Sequence, residues 1–170
     1  MGCEPLIDPH TIATLNSAFA GLKTSEFRGE ARVIVPRELI YPVLTALRDK
    51  LAFDFLSDIT CVDYLNYRGA EDRFGLVYLL ASTGTNERLN LRVFLNEPDL
   101  SVRSAVPLWE GANWMEREVW DMFGIRFEGH PDLRRILLPD EFTAFPLRKD
   151  YPLQGRGERH NFPVLHRATS

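Results

Sequence analysis

"FLSDITCVDYLNYRGAEDRFGLVYLLASTGTNERLNLRVFL", Phe55 to Leu95, decides the fold. Three runs rich in β-branched, aromatic and leucine side chains, Phe55 to Tyr67, Phe74 to Ser82 and Leu89 to Leu95, are broken by "NYRGAEDR" and "STGTNE". Gly, Asn, Asp and Ser suit tight turns, so these are consecutive strands joined by hairpins and paired antiparallel. A sheet of this kind needs helices to cover one face.

The cover lies upstream. Ile12, Leu15, Phe19 and Leu22 recur at helical spacing after Asp8-Pro9, predicting a helix from about Pro9 to Leu22. "EARVIV", Glu30 to Val35, reads as another strand and ends at Pro36. Leu39, Ile40, Val43, Leu44, Leu47 and Leu51 then mark a second amphipathic helix. Pro42 would kink that helix unless it falls in the first turn, where its missing N–H costs nothing. The order α-β-α-β-β-β predicts a two-layer α+β domain, with a mostly antiparallel sheet and helices on one face.

The 170 residues allow one domain and an appendage. With 45% hydrophobic and 26% charged residues the chain can bury a core. A formal net charge of −4 argues against a nucleic-acid partner. Cys3 and Cys61 are the two cysteines and neither belongs to a CxxC pair, so they predict reduced, inert thiols rather than a zinc or iron–sulfur site. The N-terminus lacks the basic and apolar regions of a leader, and the longest apolar run, Leu76 to Ala81, is far too short to cross a bilayer.

Downstream, "ANWMEREVWDMFG", Ala112 to Gly124, predicts a helix from Trp114 to Phe123 stopped by glycine. Asn113 and Glu116 have capping-box spacing. Glu116 nevertheless falls inside the apolar arc, so the alternative is a buried carboxylate meeting Arg134 or Arg135. Arg117 and Asp121, four apart on the opposite side beside Glu118 and Trp114, are able to pair.

From Ile125 onward five prolines, at 131, 139, 146, 152 and 163, interrupt any period. The segment still carries many apolar side chains, among them Phe127, Leu137, Phe145, Leu153 and Phe162, which a solvated linker cannot use. We read residues 1–125 as the globular domain and 126–170 as an extended arm that wraps a partner. "PLRKDYPL" reads either as a solvated charged turn or, placed in this arm, as an interface in which Leu147 and Tyr151 fill partner pockets while Arg148, beside Lys149 and Asp150, forks onto a partner carboxylate. The arm is expected to be mobile alone, since it lacks enough local apolar partners to offset ordering.

Little in the sequence points to an enzyme. GxGxxG, Walker A, GxSxG and HExxH patterns are absent. A free-standing acid/base or metal-dependent site would have to be built on Glu118, Asp121 and His130. A lone histidine in the turn-like "GHPDL" is more often a hydrogen-bonding element.

The run Glu116-Arg117-Glu118, Asp121, Met122-Phe123, His130, Arg134 and Ile136-Leu137 resembles the signature of the 30-kilodalton subunit of respiratory complex I, in bacteria the C subunit of NADH:quinone oxidoreductase. "GHPDLRRILLPDEF", "PLRKDYPL" and "GRGERHNFP" resemble its continuation. In "DEFTAFPLRKDY" the chain departs from the family, which often has an aromatic-glycine combination there.

The resemblance implies a non-catalytic subunit of the hydrophilic arm of a proton-translocating respiratory enzyme. It would sit peripherally on the cytoplasmic side of the bacterial inner membrane, touching the membrane only through partners. Its arm would embrace the 49-kilodalton D subunit near the quinone site, with the B and I subunits among the neighbours. The chain would bind no cofactor, NADH, FMN, iron–sulfur clusters and quinone all belonging to partners. Glu116, Arg117, Glu118, Asp121, His130, Arg134 and Arg135 would fold the start of the arm back on the domain. Related subunits serve plastoquinone-reducing photosynthetic complexes and membrane-bound hydrogenases, and remain the alternative.

Overall fold

In a computed structural model that describes residues 7–27 and 30–158, the hairpin strands form the middle and one edge of a five-stranded sheet. β1 (Lys23–Phe27) and β2 (Glu30–Ile34) pair antiparallel at the other edge. β3 (Phe55–Asp63), β4 (Phe74–Ala81) and β5 (Arg88–Leu95) follow the two expected hairpins. The order is β1-β2-β5-β4-β3, and only β2 beside β5 runs parallel, because α2 and a hairpin intervene between them.

Alternation sets the two faces. Leu76, Tyr78 and Leu80 on β4 and Leu89, Leu91 and Val93 on β5 point into the core, each 2% exposed or less. Burying each such side chain contributes about 1.5–3 kcal/mol. The helices lie on that face. α1 (Pro9–Ala18) starts where the Asp8 carboxylate accepts the His10 N–H at 2.8 Å. It ends four residues before the expected Leu22, since Phe19 turns extended and leads into β1.

A short 3₁₀ turn, Arg37–Leu39, leads into α2 (Ile40–Leu51), which buries Ile40, Val43, Leu44 and Leu47. Pro42 is its third residue, so the helix carries it without a broken hydrogen bond. α3 (Ala112–Phe123) packs along β3 and stops at Gly124 with φ 77°, a left-handed cap whose N–H reaches the Trp120 carbonyl.

Three strands exceed the expected order α-β-α-β-β-β. β1 was hidden because all five of its residues, KTSEF, are exposed and show no alternation. β6 (Ser101–Arg103) and β7 (Arg126–Glu128) are three residues each, too short to show a period. They pair parallel on either side of α3 in the sequence and carry the chain from the platform into the arm. None of the described helices is long and apolar enough to cross a membrane. Cys61 is buried, and that burial, with the nearby Asp63 charge, pushes its thiol up to about 12; Cys3 lies outside the described residues.

Candidate functional site

The arm lies against the side of α3 that faces away from the sheet, and it is fastened there by polar groups. Asp121 is the centre. Its side chain is 0% exposed and one oxygen, Oδ2, accepts the consecutive N–H groups of Ile136 (3.1 Å), Leu137 (2.8 Å) and Leu138 (3.0 Å). The other oxygen takes Arg135 Nη1 at 2.6 Å. Burial alone would raise this carboxyl, but the N–H groups of Leu138 and Leu137, the Arg135 guanidinium and the Ile136 N–H together hold it below its ordinary value.

Arg135 also donates to the Ala144 carbonyl and stands within 6 Å of the Trp120, Phe142 and Phe145 rings. Arg117 does not pair with Asp121 as its spacing allows. It donates instead to the carbonyls of Arg134 (3.1 Å) and Arg135 (3.0 Å), so both helix residues grip arm backbone. His130 Nδ1 accepts the Asp132 N–H, leaving Nε2 to donate to the Asn113 carbonyl at 3.1 Å. Arg134 pairs with Asp132 at the surface, and Glu118 is exposed with no hydrogen bond or ion pair among the described residues. Glu118, Asp121 and His130 are therefore not gathered into one catalytic group. Among the described residues no three His, Cys, Asp or Glu side chains are placed to hold a metal.

Glu116 requires a correction on both expected readings. It does not cap the helix, which begins at Ala112 with Gly111 at the cap, and the Asn113 side-chain oxygen has no hydrogen-bond partner among the described residues. Nor does it meet Arg134 or Arg135, because it projects to the sheet side, opposite the arm. Fully buried, it accepts the Ala105 N–H at 2.6 Å and the Ser104 hydroxyl at 2.7 Å. Burial pushes its carboxyl up to about 7 against the pull of those two donors. The Tyr78 hydroxyl, also buried and without a hydrogen-bond partner among the described residues, is raised by burial and then by the charge of Glu116.

A second fastening joins "PLRKDY" to the strand ends. Asp63 is buried at the end of β3 and accepts the Lys149 N–H at 2.8 Å and the Leu65 N–H at 2.9 Å. Arg73 meets Asp63, Glu97 and Asp150 at 3.4, 3.1 and 2.8 Å. Arg148 pairs with Glu97 at 2.9 Å, donates to the Phe123 carbonyl at 2.6 Å, and lies 4.8 Å over the Phe145 ring. Arg148 and Asp150, expected to face a partner, thus pair within the chain. Tyr151 gives its hydroxyl to Glu158. Lys149 and Leu147 present exposed side chains.

Asp63, Arg73 and Glu97 were missed by the sequence reading. They sit in turns and at strand ends, where a charged residue is the ordinary solvated case and nothing marks its partner. Over residues 129–158 the arm, expected to be mobile in the isolated chain, makes defined hydrogen bonds to the domain in this structure. "GRGERHNFP" is only partly visible, since residues 159–170 lie outside the described residues.

The architecture defines a class: an α+β platform bearing an irregular segment, its clustered acids and bases occupied in holding chain to chain. Residues 33–157 match the family described as respiratory-chain NADH dehydrogenase, 30 Kd subunit, and the chain belongs to that family. The C subunit of NADH-quinone oxidoreductase from Citrifermentans bemidjiense is 48% identical over 146 residues, covering 85% of this chain and 89% of the relative. The protein of the same name from Roseiflexus castenholzii is 47% identical over 152 residues, 87% and 86% of the two chains. Among solved structures, the trypsin-resistant fragment of Nqo5 has 35% identity and a TM-score of 0.67, covering 73% of this chain and 97% of that one. A membrane-bound sulfane sulfur reductase, an archaeal respiratory membrane complex, contains a chain with TM-score 0.74 and 20% identity over 95% of this chain and 94% of that one; the likeness is one of fold.

Proposed function

We propose that this chain is a non-catalytic structural subunit of the hydrophilic arm of a proton-translocating NADH:quinone oxidoreductase, and that it holds the 49-kilodalton subunit near the quinone site. The observation that carries this reading is the family match across residues 33–157, joined to an arm whose Arg135 and Arg148 pair inward with Asp121 and Glu97 while several of its leucines stay exposed. Leu137, Leu147 and Leu153 are 60%, 50% and 107% exposed on a segment whose backbone is already fastened to the domain. Apolar side chains on a prearranged backbone suit a partner surface, because little ordering entropy opposes binding.

In this reading NADH, FMN, iron–sulfur clusters and quinone are bound by partners, the B and I subunits are among the neighbours, and the chain works peripherally on the cytoplasmic side of the inner membrane. Its contribution to turnover is to keep neighbouring subunits in register and limit solvent access around the electron-transfer region.

The test is isolation of an affinity-tagged copy from gently solubilised membranes of its own host. A stoichiometric assembly containing the 49-kilodalton subunit and oxidising NADH with quinone is the expected result. Recovery of the tagged chain alone, with the activity left in other fractions, would refute the assignment.

A further inference from the structure

The two edges of the five-stranded sheet are guarded differently. β3 carries a register shift between Leu56 and Asp58, α3 packs along it, and Asp63 at its end holds the arm. β1, the opposite edge, keeps an unbroken register with β2 and contains no proline. On its outer side the backbone of Lys23 to Glu26 makes no hydrogen bond to a described residue. At five residues it is as long as an ordinary strand. Alternate residues of such a strand turn N–H and C=O away from the sheet, and a row of them left unpaired is a template for another strand.

Beside that edge, on the helix side of the sheet, lies an apolar hollow. Thr24 and Glu26 turn toward it, because they stand opposite Val33 and Ala31 and Val33 is buried in the core. Ile7, just before α1, and Ile12 on it form the other wall with Ala31. That wall is held in place from behind, since Glu87 accepts the Asp8 N–H at 2.7 Å and the Thr11 hydroxyl at 3.1 Å. A strand laid outside β1 would send every second side chain toward the hollow and the others to the opposite face. In this mode of recognition backbone pairing supplies affinity, and the hollow decides which side chains fit.

We propose that the sheet is extended at β1 by a segment of another subunit, which pairs along the outer edge and lays apolar side chains at alternate positions into the hollow beside Ile7 and Ile12. A peptide backbone carries donors and acceptors at strand spacing, and nucleic acid and lipid do not, so the edge selects protein. A second copy pairing through the same strand about a two-fold axis would bring Thr24 and Glu26, a hydroxyl and a charge, to the positions where the hollow takes apolar groups. The edge lies across the sheet from the fastening of the arm at β3, and the proposal rests on the chain being part of an assembly.

The test follows amide hydrogen exchange of residues 23–27 in the isolated full chain and in the assembly recovered on the tagged chain. Exchange should be at least about tenfold slower in the assembly, because the outward N–H groups acquire acceptors. The photo-cross-linking residue p-benzoylphenylalanine at exposed Ser25, irradiated in whole cells, should join one segment of another subunit whose residues alternate apolar and polar. Its yield should fall about tenfold in Ile12→Asp, with thermal melting showing the variant folded; Thr24→Lys, on the exposed strand itself, serves where the first does not fold. Equal exchange in the two states would overturn the proposal. So would an adduct with a second copy, with RNA or with a segment lacking the alternation, an adduct unchanged in the folded variants, or no adduct in a recovered assembly. The two readings separate cleanly. An active assembly with β1 exchanging freely removes the added strand and keeps the function. A protected β1 cross-linked to an alternating segment, with no NADH:quinone enzyme recovered, removes the function and keeps the strand.

Discussion

Glu116 and Asp121 stand on one helix, both are fully buried, and their surroundings push their protonation in opposite directions. Glu116 has two donors and no cation. Its folded value near 7 lies above that of an unfolded chain, so the folded state holds a proton that the unfolded state releases. Stability from this group is full below about pH 4 and is lost as pH rises toward about 7, a change on the order of 3 kcal/mol. Glu116→Gln keeps an acceptor for the Ala105 N–H and can donate to Ser104. Urea unfolding should therefore show the variant gaining on the wild type between pH 5 and pH 8, whereas equal shifts at both would show that Glu116 does not titrate there. Asp121 works with the reverse sign. Its depressed value supplies stability above about pH 4 that is lost as pH falls through the folded value. Asp121→Asn leaves Arg135, 9% exposed, without its counter-charge and should cost about 3 kcal/mol at pH 7, read by urea titration.

At the scale of elements, what matters is that α3 is covered on both sides, by the sheet and by the arm. Amide hydrogen exchange on the isolated chain should find the N–H groups of Ile136, Leu137, Leu138 and Lys149 protected well beyond their exposed neighbours, and Asp121→Asn should release the first three. Uniformly fast exchange in the wild type would mean that the arm orders only on a partner. Gly124 joins the two layers: at φ 77° a Cβ would lie 2.6 Å from the Phe145 ring and 2.9 Å from Arg148. Gly124→Ala should lose about 2 kcal/mol or more, visible as a lowered melting temperature.

The hairpin strands and α2 were legible because alternation and helical period survive wherever one face of an element is buried. β1 was not, since none of its residues is buried, and neither were β6 and β7, which have too few residues for a period. In the site, Asp121, Arg117 and His130 stood out as a charged cluster near the arm, but their partners could not be read. Asp121 and Arg117 use backbone N–H and C=O groups, which every residue possesses and which leave no mark in a sequence. Glu116 misled for a related reason. Capping-box spacing describes a helix start, and the true start two residues earlier turned the carboxylate to the Ser104–Ala105 loop.

For the whole molecule, the outward leucines of the arm and the inward ionic network separate assembly from folding. Leu137→Asp with Leu147→Asp changes exposed side chains only, so unfolding of the isolated chain should shift by less than about 1 kcal/mol. Recovery of the assembly on the tagged chain should nonetheless fall at least about tenfold. Normal recovery would show that the arm contacts partners elsewhere. Arg73→Ala should behave the other way, destabilising the chain first because Asp63 is left buried with its N–H donors but no cation.

The Asp63–Lys149 contact spans 86 positions of sequence and Arg148–Glu97 spans 51. A ribosome releases the N-terminal side first, so the sheet with Asp63, Arg73 and Glu97 emerges well before the segment that completes their network. Until then Arg73 lacks Asp150 and Glu97 lacks Arg148. A nascent or prematurely ended chain thus exposes an unfinished ionic socket and the uncovered flank of α3, both of which close when residues 130–151 arrive. A chain ended before residue 130 should therefore be cut by added protease faster than the full chain, and equal rates would show that the arm leaves the flank of α3 no better guarded.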